Sequence, residues 1–255
     1  MIGYQVKDNV AEIRFDNPPV NAITEAFMDR LIAVLTQARD DREARAVILA
    51  SAIPGRFCGG LDLASFVRSS PSQVHAIVGK LYAQLSELQS GLGKPCIAAV
   101  DGAARGGGMS IAITCDIILA AETATFGYPE LDIGLLPAIH YTHLPRIVGR
   151  YRAFELLFTG RSFGAEEAVA LGLVNRSLPA ADLLPEARRL AAVFAAKSPE
   201  LMRLGKAAFI RAIDNGYRQG AAGAVDTVST VFGTDDCKEG LTAFIEKRKP
   251  VWRSS

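Results

Sequence analysis

A glutamate and two glycine-rich turns hold most of the chemistry this sequence can do. Glu130 sits in TFGYPELDIG, just before a turn, and upstream of it Gly106, Gly107 and Gly108 stand together. The glycines follow a short apolar run, Ile97 to Val100, that is broken by Asp101-Gly102, and they lead into MSIAITCDIILAA. That order reads as a buried strand, a glycine turn, a helix start packed inside the protein, and another strand. A turn that opens a helix exposes backbone N–H groups at the positive end of the helix dipole. Such a site suits a bound anion or an oxyanion that develops during reaction. A carboxylate in the Glu130 turn could face it.

The familiar nucleotide loops do not fit. A Walker A loop needs Lys and then Ser or Thr after its last glycine, whereas Gly107 is followed by Gly108 and Met109. A dinucleotide fingerprint starting at Gly106 needs Gly or Ala where Ile111 stands. Glycines that merely let a helix pack closely on a sheet would leave the same letters.

The elements that must position these residues can be taken in order. Tyr4 to Phe15 alternates around an Asp8-Asn9 break and reads as a hairpin. From Thr24, Phe27, Leu31, Val34, Leu35 and Ala38 mark one helical face. Ala46 to Ala50 is a short buried strand, and SAIPGRFCGGLDLASF after it is the second glycine-containing turn. Ser70-Pro71-Ser72-Gln73 fits a capping box, and its helix carries Val74, Ile77, Val78, Leu81, Leu85 and Leu88 inward to an end near Gly91. VILASAIPGRFCGGLDL and IAAVDGAARGGGMSI thus share strand, glycine turn and short helix, which suggests β-β-α units stacked in a spiral. PRIVGRYRAFELLFTG reads as one helix stopping at Gly160, GAEEAVALGLV as another, and Val174 to Leu178 as a last strand. From Asp182 no strand pattern remains. Ser198-Pro199-Glu200 and Thr234-Asp235-Asp236 signal helix starts and Asn215-Gly216 a stop. Helices with no sheet to cover point to an oligomer.

With 255 residues, 49% of them hydrophobic, the chain can bury one large core plus an appendage. A formal net charge of +1 gives no reason to expect nucleic acid or an anionic membrane as partner. Cys58, Cys96, Cys115 and Cys237 are widely spaced with no CxxC pair, which argues against a zinc site or a disulfide framework. The N-terminal stretch MIGYQVKDNVAEIRF lacks a secretion pattern, and no window is long and apolar enough to span a membrane. The expectation is a cytoplasmic enzyme.

RFCGGLD, AARGGG, TFGYPELDIG, LPRIVGR, LLFTGRSFGAEEAVALGLVN and EGLTAFIEKRKP together resemble the enoyl-CoA hydratase/isomerase (crotonase) superfamily over essentially the whole chain. The resemblance implies an α/β fold, a crotonase-like spiral of β-β-α units over residues 1–190, with a C-terminal helical trimerisation region over 191–255. It implies an acyl-CoA thioester substrate, coenzyme A entering as part of that substrate rather than as a cofactor, and a homotrimer or dimer of trimers. By motif position, the N–H groups of Leu61 and Gly107 would bind the thioester oxygen and stabilise an enolate. Gly59, Gly60, Leu61, Asp62, Gly106 and Gly107 would line the CoA and acyl path. Phe244 and Lys247 match positions that reach a neighbouring subunit's CoA phosphates.

Two departures bear on the reaction. Family hydratases carry a glutamate in the GGGxE slot, paired with a second glutamate; here the slot holds Ser110, and only Glu130 is retained. A serine is no general base at neutral pH without an activator, whereas one carboxylate can take a proton from carbon and return it elsewhere. Isomerisation of an unsaturated acyl-CoA is therefore the favoured reading. Hydration, decarboxylation of a malonyl-type CoA and non-catalytic acyl-CoA binding are the alternatives. The second departure is PAIHYTHLP, where family hydratases read close to PGAGGTQRLP. It brings His140, Tyr141 and His143 beside the implied acyl pocket. They shape that pocket and hydrogen-bond within it, with His140 or Tyr141 a candidate proton donor. HxxH without a third ligand does not argue for a metal.

Overall fold

A computed structural model describes residues 1–197, 199–213, 225, 228, 229, 232, 233 and 235–251. The helix signals at Ser198, Asn215-Gly216 and Thr234 lie outside them. Strands β1 (Ile2–Lys7) and β2 (Val10–Phe15) form an antiparallel hairpin. Its turn residues Asp8 and Asn9 take positive φ, a conformation their short polar side chains tolerate. Helix α1 (Glu25–Asp40) starts where the Thr24 hydroxyl accepts the Phe27 N–H at 3.1 Å. Its buried face is the one the spacing predicts, joined by Met28. Truncating the fully buried Leu31 to alanine would cost about 2–5 kcal/mol.

Two sheets wind together from here. The larger runs in the order β1-β2-β3-β5-β7-β10, with β3 (Ala46–Ser51), β5 (Cys96–Val100), β7 (Ile117–Ala121) and β10 (Arg176–Leu178) parallel to β2. Its central strands are apolar nearly throughout because both faces are covered. Helix α9 (Ala180–Ala195) packs across β2, β3, β5 and β7. The smaller sheet holds β4 (Arg56–Cys58), β6 (Ala103–Arg105), β8 (Thr125–Gly127) and β9 (Phe163–Gly164). Each winding contributes one strand to each sheet: β3 then β4, β5 then β6, β7 then β8. The two segments that look alike in sequence are therefore neighbours in register, with Ile48 opposite Ile97 and Cys58 opposite Ala104. Since β4, β6 and β8 run parallel, their C-terminal ends lie side by side.

Between the strands lie α2 (Leu63–Phe66), α3 (Pro71–Gly79), α4 (Leu85–Ser90), α5 (Gly107–Ile113), α6 (His140–Val148), α7 (Arg150–Thr159) and α8 (Ala165–Ala170). The capping box forms as expected, with Gln73 Oε1 accepting the Ser70 N–H at 2.8 Å. The helix from Pro71 to Ser90 does not keep one period, however. Lys80–Gln84 is a π-turn, which brings Tyr82 inward beside Leu81. The stretch read as one helix from Pro145 to Thr159 is two, broken at Gly149, whose φ of +81° favours a residue without Cβ. The PAIHYTHLP segment is already helical from His140 onward. The short β9, not anticipated from the sequence, is held by the edge of β8.

Helices α10 (Pro199–Ile213) and α11 (Asp235–Ile245) close the described chain. Buried Lys206 on α10 donates to Asp116 Oδ2 at 2.7 Å and to the Lys94 carbonyl at 3.0 Å, tying that helix to the β5–β7 end of the sheet. Helix α11 lies so close to the turn that follows β8 that no side chain would fit at Gly240 against the Ile133 carbonyl. Among the described residues no helix is long and apolar enough to cross a membrane.

Candidate active site

The site forms where β4, β6 and β8 end. Gly60 ends the first turn with φ +93°, and a methyl there would lie 2.9 Å from the Arg105 carbonyl and 3.4 Å from the Gly107 nitrogen. The two glycine turns therefore touch, and only glycine allows it. Gly106 opens α5 with φ +46°. A methyl on it would fall 2.9 Å from Glu130 Oε1, so the third turn closes on the second. The Glu130 turn is a single 3-10 segment, Pro129–Ile133, stopped by Gly134 in the left-handed region and by the Leu135 N–H, which donates to the Glu130 carbonyl at 2.8 Å.

Leu61 and Gly107 face a cavity of about 450 Å³, and among the described residues neither N–H has a hydrogen-bond partner. Unpaired N–H groups at a cavity wall are what an oxyanion site needs. Gly59, Gly60, Gly106 and Glu130 line the same cavity. Asp62 does not; it precedes α2, with its N–H donated to the Ile23 carbonyl at 3.0 Å. The Glu130 Oε2 atom is buried without a partner. Burial pushes the carboxyl up to about 7, because charge in a poorly solvated place favours the protonated form. The charge of Glu130 in turn adds to the effect of burial in raising the phenols of Tyr82, Tyr128 and Tyr141.

Ser110 and His140 are together, but not on the cavity wall. Both are buried, the Ser110 hydroxyl lies 3.3 Å from His140 Nε2, and the same nitrogen is 3.3 Å from the Gly106 carbonyl oxygen. The Ser110 slot is thus turned toward the His140 ring. Burial first, and then the neighbouring His143, hold His140 well below the ordinary imidazole range. His143 is pushed down to about 4 by burial, with both ring nitrogens unpartnered. The two histidine rings lie 5.2 Å apart, and among the described residues no group of three His, Cys, Asp or Glu side chains is arranged to hold a metal. Phe244 of α11 lines this chain's own cavity, where the family pattern points to a neighbour's; Lys247 is not in the cavity wall.

Among the lining residues not singled out in the sequence are Tyr82, Phe232 and Arg105. Tyr82 arrives through the π-turn, which leaves no trace in the apolar spacing. Phe232 packs on Phe66 with ring centroids 5.3 Å apart, so α2 and the C-terminal region meet at the cavity. Arg105 reaches the cavity while donating to the Thr125 carbonyl at 2.6 Å.

A family model described as enoyl-CoA hydratase/isomerase matches residues 5–255. A probable enoyl-CoA hydratase of Bacillus subtilis is 34% identical over 99% of this chain and 98% of its own. A crotonyl-CoA hydratase of Syntrophomonas wolfei is 33% identical over 95% and 94%. The crystal structure of an enoyl-CoA hydratase from Bacillus anthracis superposes with a TM-score of 0.79 at 33% identity, covering 98% of each chain.

Proposed function

This chain belongs to the enoyl-CoA hydratase/isomerase family of enzymes, and from that premise we propose that it forms a thioester enolate held by the Leu61 and Gly107 N–H groups, with Glu130 moving the proton. The observation that carries this reading is the buried Glu130 carboxyl, whose Oε2 has no partner, beside two unpaired N–H groups on one cavity. A carboxyl whose pKa lies near 7 is suited to both taking and giving a proton at neutral pH. Two fixed dipoles lower the energy of the oxyanion without reorganising, and loss of one donor costs about 3 kcal/mol of barrier.

The reaction proposed is addition of water to a 2-enoyl-CoA. The names of the relatives favour hydration over the isomerisation that Ser110 led us to expect. One carboxylate suffices for it in two steps. Glu130 takes a proton from water as the hydroxyl joins Cβ and the π electrons move to the thioester oxygen. It then returns that proton to Cα as the enolate collapses. Isomerisation of a 3-enoyl-CoA is the second reading, supported by a specific observation: Ser110, in the slot of the first glutamate, is turned to His140 and offers water no contact in the cavity. Incubation with 2-enoyl- and 3-enoyl-CoA in ¹⁸O water, read by mass spectrometry, separates them. Incorporation of ¹⁸O into the first supports hydration. Conversion of the second to the 2-enoyl ester without incorporation supports isomerisation, and turnover of neither ester contradicts both.

We also propose that the chain assembles as a homotrimer or dimer of trimers. Tyr151, Phe154 and Phe158 on α7 are 85%, 60% and 47% exposed, and Leu204 and Phe209 on α10 are 48% and 65% exposed, more apolar surface than two helices of a monomer need show.

A further inference from the structure

His140 is a buried polar residue that the proton-transfer scheme does not use, and it contacts the back of the peptide that the scheme depends on. Gly106 O and Gly107 N–H belong to one peptide unit. In a planar trans peptide these two groups point in opposite directions, so whatever fixes the carbonyl also aims the N–H. The carbonyl is held by the Ser110 N–H at 3.1 Å, the first hydrogen bond of α5, by His140 Nε2 at 3.3 Å, and more loosely by the Ser110 hydroxyl, which donates to it at 3.5 Å. A carbonyl oxygen can only accept, so the His140 contact is favourable only if Nε2 carries the hydrogen. The Ser110 hydroxyl, 3.3 Å from the same nitrogen, then shares that hydrogen as a second acceptor. The ring is kept in place by packing on Tyr128, with ring centroids 4.6 Å apart.

We infer that His140 is a positioning residue, whose Nε2–H anchors the Gly106 carbonyl and so aims and polarises the Gly107 N–H toward the thioester oxygen. This rests on the reading of Gly107 as an oxyanion donor. Donation to one end of a peptide unit strengthens the other end as a donor, by roughly 10–30% per bond in a chain. The ring remains neutral because burial opposes its charge, so His140 anchors the peptide without exchanging protons with substrate.

The test uses crotonyl-CoA labelled with ¹³C at its carbonyl, whose stretching frequency falls when the oxygen accepts strong hydrogen bonds. Binding to the parent protein lowers that frequency. His140→Met keeps bulk without a donor; it should show a smaller shift and a kcat about 10-fold lower, as expected for weakening rather than removing an oxyanion donor. Its KM should change much less than its kcat. His140→Gln, which restores an N–H, should regain most of the shift and of kcat. In the unsubstituted protein, ¹⁵N NMR of histidine should find the hydrogen of His140 on Nε2, a result independent of how any variant folds. A hydrogen on Nδ1 would overturn the inference, as would parent kcat and full carbonyl shift in folded His140→Met. An unshifted carbonyl in the parent would overturn the oxyanion reading and the inference with it.

Discussion

At the scale of single residues, Glu130 and the buried histidines leave opposite marks on stability. The Glu130 carboxyl is pushed up to about 7 in the folded protein, so the folded state holds the proton more tightly than the unfolded one. Stability is undiminished below the unfolded value of about 4.5, falls as pH rises through the window up to about 7, and is flat above it. Glu130→Gln, which cannot titrate, should therefore melt higher than the parent at pH 8 and equal to it at pH 4; calorimetry at both pH values checks this. His143 works the other way. Its folded value near 4 lies below the ordinary 6.5, so stability is lost as pH falls from about 6.5 to 4. His143→Leu should remove that acid-side loss along with two unpartnered nitrogens. Gly106→Ala meets both a positive φ and Glu130 Oε1, and it should lower kcat by about 100-fold or more through the displaced carboxylate. The glycine turns and the Glu130 carboxylate were legible as local features, whereas Leu61 and Gly107 came into view as the donors only through the family resemblance. The orientation of Ser110 was not legible, because it depends on a ring thirty positions away in sequence.

At the scale of elements, the strands of the larger sheet and most helices could be read from the sequence because their causes are short-range. Alternation around Asp8-Asn9, the Thr24 cap and the Ser70 capping box each specify their own segment. Two features could not be read so. The π-turn at Lys80–Gln84 leaves Leu81, Leu85 and Leu88 on an acceptable helical face, so the spacing contains no sign that Tyr82 is also turned inward. The break at Gly149 separates two helical patterns that join smoothly when read by period alone. The joint between α10 and the sheet likewise depends on a long-range pair, Lys206 and Asp116. Lys206→Met would leave Asp116, about one-third exposed, and the Lys94 carbonyl without this donor. It should cost about 1–3 kcal/mol in denaturant unfolding, and more for α10 than for the core strands by hydrogen exchange.

At the scale of the whole molecule, the spiral places three consecutive β-β units so that each delivers one wall of the site, and α11 adds Gly240 and Phe244 to the lining. The parallel registers of β4, β6 and β8 convert three separated sequence motifs into one cluster. In the assembly proposed above, the exposed aromatic rows on α7 and apolar positions on α10 would form the contact surface. Phe154→Glu together with Phe158→Glu should shift the protein toward smaller species by light scattering, without changing the strand content. The central claim, that Glu130 moves a proton at the carbon next to the thioester, is tested most directly by solvent exchange. A saturated acyl-CoA such as butyryl-CoA is held with the protein in deuterated water and its α-deuterium content followed by mass spectrometry. The account predicts exchange in the parent and a rate lower by about 100-fold or more in Glu130→Gln with ester affinity retained, the usual size of a general-base contribution. Exchange at the parent rate in Glu130→Gln would contradict it.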